Sequence, residues 1–193
     1  MRRPTPAPTT DADLADALHA AQAGDRHGYA TLWRAHQPAV LRYLHVVIGD
    51  HAEDVASETW LHVIRDLHRF HGDLGAFRGW LFRIARHRAL DERRRRTRQT
   101  GNPPPELPAA DAATTALEDE GTAWALRIIA TLPTDQAEAV MLRIVAGLDV
   151  ATTAHILGKR PGAVRIATMR GLRRLATHPQ VQARTTPTLA REV

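Results

Sequence analysis

The 193 residues include no cysteine, so disulfides and thiolate metal sites are excluded. That removes the usual staple of extracellular domains and fits a cytoplasmic protein. No run of about 18 apolar residues occurs, and the opening MRRPTPAPTT has basic residues with no apolar stretch behind them, so neither a membrane span nor a secretory signal is expected. Also missing are a phosphate-cradling glycine loop, GxSxG and HExxH; with no cysteine nucleophile either, the chain reads as a non-enzyme without a cofactor. Eleven histidines invite a metal, and His68 and His71 could approach each other, but no third ligand stands at a fixed spacing, so no metal site is assigned. Period-two alternation is too short-lived for a sheet, and the expected class is all-α.

What is present is arginine. Lys and Arg number 26 against 21 Asp and Glu, for a net charge of +5, in a chain whose 44% hydrophobic content is ordinary for a folded protein. The excess is almost all Arg, whose fork suits phosphate, so nucleic acid is the natural partner. The charge is unevenly placed. Residues 11–66 are acidic, whereas Arg83 to Arg98 holds eight Arg against Asp91 and Glu92. From Gln99 to Glu120 there is no basic residue; Pro103, Pro104, Pro105 and Pro108 accompany Glu106, Asp111, Glu118, Asp119 and Glu120, the composition of a tether. The expected organisation is a disordered N-terminus (1–10), a helical domain (11–98), a flexible acidic Pro-rich linker (99–120), a second helical domain (121–177) and a frayed tail (178–193).

The sharpest local signal lies between Leu148 and Leu175. An apolar-periodic segment stops at Gly158, which can take the left-handed conformation that ends a helix, and restarts at Pro161, which suits a first helical turn. Val150, Ala154 and Leu157 share one face of the first helix; Val164, Thr168, Leu172 and Leu175 form the expected buried stripe of the second. Arg165, Arg170, Arg173 and Arg174, with Lys159 and Arg160 before them, fall outside that stripe. This is a helix-turn-helix with a cationic face for DNA.

In the first domain, helices are expected over 14–23, 30–48, 52–70 and 77–96, with Pro38 kinking or dividing the second and His71 to Gly75 forming a turn. The third has Ala56, Trp60, Ile64 and Leu67 on its apolar side, and Glu53, Asp54 and Glu58 on the other.

The run HAEDVASETWLHVIRDLHRF (51–70) followed by GAFRGWLFRIARHRALDERRRR (75–96) resembles region 2 of bacterial sigma factors of the sigma-70 superfamily, extracytoplasmic-function (ECF) group. Residues 125–177, ALRIIATLPTDQAEAVMLRIVAGLDVATTAHILGKRPGAVRIATMRGLRRLAT, resemble their region 4. The resemblance implies a region 2-like helical bundle and a region 4-like helix-turn-helix, together a promoter-directing subunit of RNA polymerase. Glu53, Asp54, Glu58, Trp60 and Asp66 would dock on the β′ clamp helices of the core enzyme. Phe77, Arg78, Trp80, Arg83, Arg86, His87, Arg93 and Arg94 would hold and melt the minus-ten element. Lys159, Arg160, Arg165, Arg170 and Arg173 would bind the minus-thirty-five element, while the outer surface of this domain meets the β-flap. The resemblance also implies an anti-sigma factor as a candidate partner, and a linker that mimics nucleic acid in the polymerase. His87 stands where the family commonly has Asn, and Lys159 where it commonly has an aliphatic residue. Two other readings fit parts of the pattern: a stand-alone helix-turn-helix regulator, and a nucleic-acid-modifying enzyme using the histidines.

Overall fold

The computed structural model describes residues 10–100 and 120–185, all in helices and short connections, with no strand among the described residues. Of the N-terminus expected to be disordered (1–10), residues 1–9 lie outside the described residues and Thr10 caps the first helix; residues 101–119 of the linker and the tail beyond 185 also lie outside them. α1 (Asp11–Gln22) starts at a reciprocal cap: the Asp13 N–H donates to the Thr10 hydroxyl at 3.1 Å, and the Thr10 N–H to the Asp13 carboxylate at 2.8 Å. α2 (Arg26–Ile48) is capped by Asp25, which accepts from the Gly28 N–H at 2.8 Å. It passes through Pro38 undivided, because this residue sits on the exposed face, where the carbonyl left without a donor can be hydrated. Gly28 is required where α1 crosses α2, since a Cβ there would lie 2.7 Å from the Ala17 carbonyl oxygen.

α3 (Ala52–Asp66) ends four residues sooner than its sequence pattern suggests and tightens into a 3₁₀ turn at Leu67–Arg69. α4 (Leu74–Thr100) begins earlier and ends later than expected, so the linker's first two residues are helical. Its early start follows from Asp73, whose carboxylate accepts from the Ala76 N–H at 2.8 Å. Tyr43 and Phe82 meet edge to face at 5.8 Å in the core of this four-helix unit.

The second unit contains α5 (Glu120–Ala130), α6 (Thr134–Val140), α7 (Val150–Leu157), α8 (Pro161–Ala176) and α9 (Pro179–Thr185). Between α6 and α7 the chain widens into a π turn over Met141–Val145, closed by the Ala146 N–H to the Met141 carbonyl at 2.9 Å. α9 replaces part of the expected frayed tail, and Arg184 sits 4.4 Å over the Trp124 ring of α5. α2 packs against α5, α6 and the π turn, and α4 against α7, so the buried apolar residues of both units form one continuous core.

Candidate nucleic-acid and protein-docking surfaces

The helix-turn-helix is built as its punctuation requires. Asp149 caps α7, accepting from the Thr152 N–H at 2.9 Å and its hydroxyl at 2.6 Å, and these bonds hold the Asp149 carboxyl below the usual carboxylate range. Gly158 is left-handed at φ 64°, the Lys159 N–H returns to the Ala154 carbonyl at 2.9 Å, and Pro161 occupies the first turn of α8. Val164 is buried, and Gly171 lies under Val140, whose methyl would be 2.8 Å from an added Cβ. The line of contact therefore runs through Val164, Gly171 and Leu175. Leu172, one residue round from Gly171, turns outward at 42% exposure and leaves the stripe expected of it.

Of the residues expected at the minus-thirty-five element, Arg160, Arg165, Arg170 and Arg173 are exposed. Lys159 differs: its ammonium pairs with Asp135 at the start of α6, so it braces the turn as well as carrying charge. Sequence reasoning missed a cleft of about 490 Å³ between the π turn, α7 and α8. Met169 and Leu172 help form its apolar lining, beside Arg143, Arg165 and Arg173. The outward Leu172 is the signal that could have revealed it.

α4 divides its expected DNA residues. Phe77 is fully buried, edge to face with His36 at 5.5 Å and with Phe70 at 6.0 Å, which corrects its assignment to DNA: it is core. Trp80 is half-buried and stacks on Phe70 at 5.1 Å, keeping part of its ring accessible. Arg78 pairs with Asp11 of α1 at 2.7 Å, and Arg94 with Asp91 at 3.7 Å; Arg93 is half-buried. Trp80, Arg83 and His87 do come together, with His62, Arg88 and Asp91, around a cleft of about 290 Å³. His62 was missed. Its Nδ1 faces the Arg88 guanidinium at 3.1 Å and its Nε2 faces Asp66 at 3.1 Å, an orientation in which Asp66 accepts from Nε2–H and Arg88 donates to Nδ1. Burial, then Arg65, keeps this imidazole below its ordinary value.

Arg86, expected at the minus-ten element, is occupied from within the chain. Its Nε donates to Glu138 at 2.9 Å and one terminal nitrogen to the Ile156 carbonyl at 3.3 Å, so in this conformation the second unit occupies it. The Tyr43 hydroxyl donates to the same Glu138 oxygen at 2.9 Å. Burial pushes the Tyr43 hydroxyl well above its ordinary value, and the Glu138 charge adds to this. Burial is the largest single influence and works against the charge of Arg86, but the hydrogen bond to Glu138 and the neighbouring negative charges, Glu138 first, together outweigh it and raise Arg86.

On α3, Glu53, Asp54 and Glu58 are exposed. Trp60 is not: at 4% exposure its ring lies 6.0 Å from Tyr29 and its indole N–H donates to Gln37, a correction to its expected docking role. Asp66 turns to Arg65 at 3.0 Å and to His62, so it is tied down within its own helix. The residues that join the carboxylates outside are Leu61, 66% exposed, and Ile64, 54% exposed. Ile64 was expected to be buried; its helical phase places it with Asp54, Glu58 and Leu61.

Among the described residues no three His, Asp or Glu side chains gather as for a metal, and no helix is long and apolar enough to cross a membrane. Residues 32–99 match the family model for Sigma-70 region 2, and residues 122–175 that for Sigma-70, region 4. The chain is 34% identical over 173 residues to the ECF RNA polymerase sigma factor ShbA of Streptomyces griseus, covering 82% of this chain and 91% of that one. It is 33% identical over 183 residues to the ECF RNA polymerase sigma factor SigD of Mycobacterium tuberculosis, covering 89% and 86%. Among solved structures it resembles CnrH, in complex with the cytosolic domain of CnrY, with a TM-score of 0.60 at 19% identity over 89% of this chain and 98% of that one. It likewise resembles RpoE of Bartonella quintana, in complex with the anti-sigma factor NepR, with a TM-score of 0.60 at 20% identity over 82% and 98%. At those identities the structural likeness is one of fold.

Proposed function

The chain belongs to the sigma-70 family of RNA polymerase sigma factors, in the ECF group, and from that premise we propose that its two units divide promoter recognition between them. It directs core polymerase to promoters and is a transcription initiation factor. The first unit docks on the β′ clamp helices through the exposed face of α3, where Glu53, Asp54 and Glu58 supply complementary charge and Leu61 and Ile64 supply apolar area. Trp80, Arg83, His87 and Arg88, around one cleft, hold an unstacked nucleotide of the minus-ten element: the arginines take the backbone and the rings the base. α8 grips the minus-thirty-five element through Arg165, Arg170 and Arg173, with the apolar lining beside α8 left for the β-flap. It works in the cytoplasm, where the polymerase is, and an anti-sigma factor is a partner for the same surfaces.

The observation that carries this reading is the pair of region models in family order, each over a unit with an exposed cationic helix. Run-off transcription with core polymerase on a promoter library tests it. Transcripts that need this chain are expected, with Trp80→Ala lowering yield most where the minus-ten element is hard to melt. Specific binding of promoter duplex without polymerase, and no association with core enzyme, would overturn it.

A further inference from the structure

Glu138 is only 5% exposed, yet each of its two donors belongs to the other unit of the chain. The Tyr43 hydroxyl and Arg86 Nε both reach Oε1 at 2.9 Å, and a terminal Arg86 nitrogen lies 3.5 Å from Oε2. Arg86 also donates to Ile156 in the last turn of α7, where helix carbonyls have no intrahelical partner. Gly79, Arg83 and Arg86 share one face of α4, and this face looks toward α7 and the end of α6. A Cβ at Gly79 would lie 2.7 Å from the Thr152 methyl, and Arg83 lies 3.3 Å from His155 Nε2.

We propose that Glu138 is an intramolecular stand-in for a promoter phosphate, holding the free chain closed by occupying Arg86 until polymerase and DNA displace it. The inference rests on the promoter-binding reading above. A carboxylate and a phosphate present the same acceptor geometry to a guanidinium, so Arg86 can serve one or the other, not both. Closure is also incompatible with spanning the promoter. Two elements about 25 base pairs apart lie about 85 Å apart at 3.4 Å per pair, whereas a compact chain of this length is only about 40 Å across. The stretch from Thr100 to Glu120, about 70 Å if fully extended, gives the reach once the units separate. The apolar contacts of α2 with α5, α6 and the π turn hold the units together, and the buried ion pair, a latch of little net stability itself, fixes which surfaces meet.

The absence of cysteine makes the test clean. In a Gly79→Cys/Thr152→Cys double variant of the full chain, a Cβ at position 79 lies 2.7 Å from Thr152 Cγ2, whose place the new sulfur can take, so the two side chains are near enough to bridge. Oxidation of the free protein should give the bridged monomer in high yield. The bridged form should support at least tenfold less run-off transcript with core polymerase, recovered on reduction. Glu138→Gln in the same background should slow bridging about tenfold, and alone, without cysteines, should raise transcript several-fold at limiting core enzyme. Tyr43→Phe, which removes a donor without touching a DNA residue, should shift both readouts the same way. Failure to bridge, a bridged form as active as the reduced one, or a Glu138→Gln yield at or below wild type would overturn the latch. Wild-type chain that drives no transcript at all would instead sink the promoter-binding reading, while the bridging yield still reports closure.

Discussion

Arginines of one chemistry end up with different tasks on this molecule. Arg165 is exposed, Arg78 is tied to Asp11, and Arg86 is enclosed by the second unit. Arg165→Ala should therefore weaken promoter capture with little loss of stability, and the defect should shrink at low salt if the contact is to phosphate, as a salt titration of binding would read. The aromatic pair on α4 divides likewise. Phe77→Ala opens a core cavity and should cost about 3–5 kcal/mol in chemical denaturation, whereas Trp80→Ala should leave most of the stability and reduce promoter opening. His36 adds a pH dependence. Burial holds its imidazole below the ordinary value of 6.5 despite the bond between Nδ1 and the Leu32 carbonyl at 2.9 Å. Just below pH 6.5 the unfolded chain thus binds more protons than the folded one, and stability is full above that pH and lost as it falls. A His36→Gln variant should show a flatter decline between about pH 7 and pH 5; an unchanged slope would assign the effect to other groups such as His62.

Helices show where the sequence was legible and where it was not. Gly158 and Pro161 mark the helix-turn-helix directly, because a left-handed cap and a helix-starting proline are local requirements. Gly158→Ala should accordingly cost about 1–2 kcal/mol, measured as a drop in melting free energy with the fold retained. The orientation of each helix was less legible. Leu172 and Ile64 satisfy an apolar period, yet a small residue at the crossing point, Gly171 under Val140, rotates α8 and sends Leu172 to solvent. Trp60, which its own periodicity puts on the apolar side of α3, and Phe77 were given docking and DNA roles because the resemblance brought functional blocks with it. Glu138 gave no signal: its partners are 95 and 52 residues away, and nothing in its own helix marks it.

As a whole molecule the chain is two units by composition and one by packing. Because α2 is covered by α5, α6 and the π turn, residues 10–100 produced alone should bind a hydrophobic dye and melt below the intact chain. Identical melting would mean that the second unit adds nothing to the first.

The widened turn at Met141–Val145 sets the angular phase between α6 and the DNA-reading helices. One residue subtends about 100° of helix. Deleting the outward-facing Ile144 would return this stretch to ordinary winding and swing Glu138 toward a different azimuth while every side chain it meets stayed in place. Whether the molecule rests shut thus depends on one surplus residue of winding, a coordinate along which related chains could be retuned without altering any residue that reads a base.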